Sequence, residues 1–194
     1  MNRLFKAVAL VCALVVGFTS CSKDDVEKKL SDTTATTSTA TIQVPSGAKV
    51  YYDFKTNSTQ EKDKGMISLS GMYGSTLENN LPGNYKMGYL DKENVSIEKL
   101  TLSMILSSDI KAANKLGIDA SSAPGASPST DPTWIIYDFK NNHAVYPTAN
   151  RYIVMYKGEK PNDSADELYI IQAAGITALK GDATYNLNVK KFTK

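Results

Sequence analysis

From Ala183 onward apolar and polar residues alternate: Ala183, Tyr185, Leu187 and Val189 are separated by Thr184, Asn186, Asn188 and Lys190. A period of two places one set of side chains on a core and the other toward solvent, which predicts a half-exposed antiparallel strand. Arg151 to Tyr156 is a continuous apolar run instead, and predicts a central strand buried on both faces. Lys49 to Phe54 is rich in β-branched and aromatic residues and follows a glycine, Gly47. Tyr85 to Leu90 alternates in places and closes on the turn-forming Asp91-Lys92-Glu93-Asn94, so both segments read as strands. One segment departs from this pattern. Ser108 to Gly117 has a serine cap, an early acid, good helix formers and a glycine stop, which predicts a short helix. The apolar residues of Val95 to Leu106 fit both the helical and the strand period. Ala120 to Pro132, with Pro124, Pro128 and Pro132 among serines, alanines and glycine, predicts a loop without structure of its own. The expected fold class is therefore all-β, mainly antiparallel, with one short helix, in a single β domain over residues 42–194.

The N-terminus has another character. Arg3 and Lys6 precede Ala7 to Phe18, an uncharged run of twelve residues. As a helix it spans about 18 Å, short of the roughly 30 Å of a bilayer's hydrocarbon core, and so reads as the apolar region of an export signal over residues 1–20. The run ends Thr19-Ser20-Cys21, which resembles the lipobox of bacterial lipoproteins and makes Cys21 the expected lipidation site. Three acyl chains on one cysteine hold a protein firmly on a membrane, since each buried CH₂ contributes about 0.8 kcal/mol. Asp24, Asp25 and Glu27 follow, an acidic patch that resembles the surface-export signal of lipoproteins in the Bacteroidota. Ser31 to Thr41 is almost wholly Ser, Thr, Ala and Asp, so residues 21–41 are expected to form the acylated cysteine and a flexible stalk. The expected location is the outer membrane, anchored in its lipid and facing the cell exterior.

Charge and composition remove whole classes of function. Residues 21–194 carry 20 basic and 20 acidic side chains. Without a positive excess to displace counterions from phosphate, no nucleic-acid partner is expected. No cysteine lies beyond Cys21, which excludes thiolate metal sites and a cysteine nucleophile downstream of it. His143 is the only histidine; a metalloprotease H-E-x-x-H pair is impossible, and any Ser–His–Asp triad has to pass through it. No enzyme activity is expected. All eleven tyrosines and the single tryptophan lie after residue 50. Tyrosine's flat apolar body and polar tip suit sugar or tetrapyrrole surfaces, and equally the faces of an antiparallel sheet.

The stretch from Trp134 carries a resemblance. It runs Trp134-Ile135-Ile136-Tyr137-Asp138-Phe139, then Asn142-His143-Ala144-Val145-Tyr146-Pro147, Asn150-Arg151-Tyr152-Ile153-Val154-Met155 and Glu167-Leu168-Tyr169-Ile170-Ile171-Gln172. A tryptophan strand, a polar turn, a short strand ending in proline and two long strands resemble the C-terminal layout of the HmuY family, haem-binding surface lipoproteins of the Bacteroidota. Val50 to Phe54 and Met66 to Asn80 resemble that family's N-terminal half. The resemblance implies an HmuY-like β domain, a haem or porphyrin ligand gripped without catalysis, and transfer to a TonB-dependent outer-membrane transporter. Family members ligate iron through histidines or methionines, one before the tryptophan strand and one shortly after the tryptophan. The family's spacing lands near Phe139, which cannot ligate; His143 is four residues on in the same loop, and Met104 is the sole methionine between Asp91 and Trp134. His143 and Met104 are thus the candidate axial and metal ligands, a combination of imidazole and thioether that haem iron accepts. Tyr137, Phe139 and Tyr146 are candidate pocket aromatics, while Met66, Met72, Met87 and Met155 are expected to pack. Cobalamin, which brings its own metal ligation, is the alternative cargo. A different class, a glycan-binding or adhesive surface lipoprotein, would present an exposed row of aromatic rings flanked by amides and carboxylates. A haem carrier would turn His143 or Met104 into a large apolar cleft.

Overall fold

Residues 27–81 and 84–194 are described by a computed structural model of the chain. The expected export signal over 1–20 and the lipidated Cys21 lie outside the described residues. In chain order the strands are β1 (Thr36–Val44), β2 (Val50–Asp53), β3 (Ser58–Gln60), β4 (Ile67–Ser70), β5 (Thr76–Asn79) and β6 (Tyr85–Asp91). A short helix, α1 (Leu102–Leu106), precedes β7 (Lys111–Ala112), β8 (Lys115–Asp119), β9 (Thr133–Asp138) and β10 (Ala144–Pro147). β11 (Arg151–Lys157), β12 (Glu167–Leu179) and β13 (Asp182–Thr193) complete the chain. They form two sheets, one in the order β1-β13-β12-β11-β6-β7 and the other β10-β9-β8-β5-β4-β2-β3. Every pairing is antiparallel except β8 with β9. The fold is all-β with one short helix, as expected.

Side-chain alternation sorts the chain into three layers. Met87, Ile153, Met155, Tyr169, Ile171, Tyr185, Leu187 and Val189 of the first sheet meet Ile67, Leu69, Leu77, Leu116, Trp134 and Ile135 of the second. The intervening residues of the first sheet, among them Leu90, Tyr152, Val154, Tyr156, Leu168, Ile170 and Phe192, form another apolar cluster on its outer side. Ile97, Leu100, Leu102 and Ile105 cover that side, joined by Leu30. β11 is therefore buried on both faces, which is the physical reason for its unbroken apolar run. At β8/β9 the register slips between Gly117 and Ile118, and Trp134 is the residue passed over. Such a bulge interrupts strict alternation, and here Trp134 and its neighbour Ile135 both enter the inter-sheet core.

Two expectations are corrected here. The flexible stalk does not extend to residue 41: a 3-10 turn spans Asp32–Thr34 and β1 begins at Thr36, paired with β13 from Thr36↔Lys191 to Val44↔Ala183. Its β-branched threonines are good strand residues once a partner edge is present. The domain accordingly begins before residue 42, with Leu30 and Ala40 already buried. The helix expected over Ser108 to Gly117 is instead β7 and the start of β8, whereas the helix formed is α1, inside the segment whose period was ambiguous. Thr101 caps α1, its hydroxyl accepting from the Met104 amide at 3.2 Å. Ala120 to Pro132 contains no strand or helix, in keeping with the loop reading.

Candidate functional site

Tyr137, Phe139, His143 and Tyr146 all belong to the β9–β10 hairpin. β9 pairs with β10 from Asp138↔Ala144 to Ile135↔Pro147, leaving Phe139 to His143 as the turn. Asp138 organises it: its Oδ1 accepts from the amides of Lys140 at 3.1 Å and Asn141 at 3.2 Å, a carboxylate-closed turn. Asn142 and His143 both take left-handed backbone, with φ of 51° and 60°. Asparagine and histidine tolerate that region better than most residues.

This backbone carries the His143 ring to Tyr137, whose hydroxyl lies 2.5 Å from Nδ1. Phe139 meets the imidazole edge-on, with centroids 4.7 Å apart. The Tyr137 ring also stacks on Tyr73, with centroids 6.2 Å apart. Tyr73 sits in the tight 3-10 turn Met72–Gly74, itself at a φ of 57°. Two core side chains grip this turn: Tyr185 donates its hydroxyl to Tyr73 O, and Trp134 Nε1 donates to Ser75 O at 2.7 Å. Those two rings stack on each other at 4.9 Å, nearly parallel. A Cβ at Gly74, whose φ is 65°, would lie 2.9 Å from a Val44 methyl, so the turn admits only glycine there without displacement. Ser122 from the long loop adds a tie, donating to Tyr137 O at 3.1 Å and accepting from the Phe139 amide at 2.8 Å. The buried Trp134 and Tyr185 thus hold the Tyr73 turn by hydrogen bonds, and from Tyr73 a chain of rings runs through Tyr137 to the solvent-facing His143 and Phe139.

Tyr146 lies on the opposite face of the hairpin. Residues directly paired across a ladder share a face; Tyr146 pairs with Ile136, and Val145 with Tyr137. Tyr146 Oη donates to Asp138 Oδ2 at 3.3 Å. Desolvation raises its phenol above the ordinary value, and the Asp138 and Asp119 carboxylates add to the rise. Asp119, held low by the Ser121 hydroxyl and amide, stands on the same side.

Met104 is elsewhere. It lies on α1, half-buried against the cluster on the outer side of the first sheet, whereas His143 belongs to a hairpin of the second sheet. The first sheet and the inter-sheet core separate the two, so the expected His143 and Met104 pair cannot share one iron. Of the methionines expected to pack, Met66, Met87 and Met155 are buried, while Met72 is 51 % exposed beside Tyr73. Among the described residues a surface cavity of about 620 Å³ is lined by Gln43, Lys49, Val50, Tyr51, Thr59, Gln60 and Lys62. Neither it nor the cavities of about 550, 320 and 180 Å³ has His143, Met104, Tyr137, Phe139 or Tyr146 in its wall. The apolar cleft expected around a ligating His143 or Met104 is therefore not among these cavities, and the hairpin offers an open surface instead. Among the described residues no group of three or more acidic, histidine or cysteine side chains is placed to hold a bare metal ion, and no helix is long and apolar enough to cross a membrane.

Tyr73 and Ser122 escape sequence reasoning. The Gly71 and Gly74 pair signals a tight turn, but nothing local signals that this turn docks beside a strand sixty residues later. Comparison with protein-family models finds no match for this chain, and none is found among curated proteins or solved structures.

Proposed function

We propose that this chain is a non-enzymatic surface lipoprotein, anchored in the outer membrane through Cys21, that captures ferric haem or a related porphyrin on the β9–β10 hairpin. A TonB-dependent outer-membrane transporter is the proposed recipient. The observation that carries the reading is the ring cluster Tyr73, Tyr137, Phe139 and His143. Phe139 and His143 are exposed and Tyr137 is stacked on Tyr73, so the cluster offers a macrocycle an open aromatic surface, not a cleft, and the core holds it in place. Lys140, the one basic residue of the turn, is available to a propionate. The layout from Trp134 to Gln172 that resembles the HmuY family supports the same class of ligand.

The test is a titration of residues 22–194, which contain every element described, with ferric haem while the Soret band is followed. A saturable, shifted band is expected, and Phe139→Ala should weaken it. A linear increase without saturation would refute haem capture; cobalamin is then the next ligand to titrate. A second reading, a glycan-binding surface, is favoured by one observation: Tyr146 is 37 % exposed on the outer face of the hairpin, beside the Asp138 and Asp119 carboxylates. That reading predicts that Tyr146→Ala abolishes retention on immobilised host glycans and leaves any haem titration unchanged.

A further inference from the structure

We infer that the free edge of β1 pairs, antiparallel and across a two-fold axis, with β1 of a second copy of this chain, joining two six-stranded sheets into one. This is independent of the haem reading. An outermost strand presents a row of unpaired backbone N–H and C=O groups, which proteins usually blunt by shortness, charge, proline or a bulge. Three of the four outermost strands are blunted in such ways. β7 has two residues, one of them Lys111; β3 has three; β10 has four and ends on Pro147. The end of β12 that runs on past its pairing with β11 carries a bulge between Ala173 and Gly175 and lies against β10. β1 differs. It runs for nine residues with no charge, proline or glycine, and its register with β13 is unbroken from end to end.

Such an edge accepts another strand, and the chemistry of β1 favours its own kind. Thr36, Thr37, Ser38 and Thr39 are all exposed, although alternation places Thr36 and Ser38 on the side of the core residues Ala40, Ile42 and Val44. The second sheet therefore stops short of this end of β1 and leaves room for a neighbour. The cations on the adjoining β13 are already engaged: Lys190 Nζ by Glu98 O and Leu100 O, and Lys191 Nζ by Glu167 at 3.5 Å. Directly opposed residues of an antiparallel ladder share a face, and paired threonine and serine side chains stabilise it. A two-fold axis at Ser38 or Thr39 opposes hydroxyl side chains there and brings no two charges together. Among the described residues each copy offers β1 as its one long unblunted edge. The pairing uses both, so it closes as a dimer and does not propagate as a filament. One strand pair is a small interface, so the dimer is reversible and its population follows protein concentration.

Sedimentation equilibrium of residues 22–194 at concentrations up to about 1 mM tests the pairing. A reversible monomer–dimer equilibrium is expected. The double variant Thr37→Lys, Thr39→Lys sets four lysines along the joined edges and should weaken association about tenfold or more. Its urea midpoint at dilute, monomeric concentration should match wild type. Residues 22–194 contain no cysteine, so an introduced thiol reports its own surroundings. Ser38→Cys or Thr39→Cys should give a disulfide-linked dimer under oxidising conditions, and Ser129→Cys, in the loop before β9, should not. These cysteine variants decide the matter if the two lysines unfold β1. A chain that stays monomeric throughout, or a dimer that both β1 cysteines fail to cross-link, overturns the proposal. Open-ended oligomers overturn the two-fold closure.

Discussion

Glu167 is the most heavily engaged carboxylate among the described residues. Its oxygens accept from Tyr85 at 2.8 Å and Tyr169 at 3.0 Å, with Lys55 Nζ at 2.7 Å and Lys191 Nζ at 3.5 Å. Burial alone would raise its pKa, but the hydrogen bonds from Lys55, Tyr85 and Tyr169 together outweigh it and hold the carboxyl below the ordinary 4.5. The phenol of Tyr85 moves the other way, pushed up to about 12 by burial and by its bond to Glu167. A depressed carboxyl pKa stabilises the fold above the unfolded-state value, and that contribution disappears as pH falls through the lower folded-state value. Urea unfolding should therefore show stability falling as pH drops below 4.5. Glu167→Gln should flatten that acid limb and cost about 1–3 kcal/mol at neutral pH; an unchanged acid limb in this variant would contradict the assignment. The same scale explains what was legible at the candidate site. Tyr137, Phe139 and His143 fall within one hairpin, so local sequence brings them together, whereas Tyr73 joins them only through the docking of a distant turn.

At the scale of elements, the helix expected over Ser108 to Gly117 shows local preference losing to pairing. Lys111 and Ala112 pair with Tyr89 and Gly88 at the edge of the first sheet, and Leu116 pairs with Leu77 in the second. Leu116 buries completely in the inter-sheet core, a gain of about 1.5–3 kcal/mol that exceeds the few tenths per residue by which helix propensities differ. The segment that became α1 instead places Leu102 and Ile105 on the outer face of the first sheet. Lys190 clasps this layer to β13. It is only 6 % exposed, and its Nζ donates to Glu98 O at 2.8 Å and Leu100 O at 2.9 Å. Lys190→Met should keep the buried stem but leave both carbonyls without that donor, at a cost of about 1–3 kcal/mol. Amide exchange should accelerate across Ile97 to Leu106 while the β9–β10 hairpin stays protected. Uniform acceleration through both regions would show that Lys190 supports the whole fold and not this layer.

At the scale of the whole molecule, residues 30–41 of the expected stalk are part of the body. β1 edges the first sheet through a nine-residue register with β13, and Leu30 is tied to the loop before β12 by its amide, which donates to Asp163 O at 2.8 Å. A chain beginning at residue 27 should unfold cooperatively. One beginning at residue 42 loses Leu30, Ala40 and most of the β1 ladder, and should be less stable by about 3 kcal/mol or more in urea titration. Equal midpoints for the two chains would mean that β1 contributes no stability. The same scale separates His143 from Met104: the order of layers decides which side chains can share a ligand, and that order depends on contacts remote in sequence.

The sequence by itself determined the class of the fold, because side-chain periodicity is a local property. The alternation of β13, the continuous apolar run of β11 and the proline-rich loop before β9 each follow from neighbouring residues. It also determined the local grouping of Tyr137, Phe139 and His143. Tertiary structure alone decided the order of strands, the parallel β8/β9 pair, the recruitment of a Thr-rich segment into β1, and the seat of Tyr73 against Tyr137. These are pairings across long stretches of chain, where the favourable energy appears only after loop closure has been overcome. No short window of sequence carries the identity of such a partner.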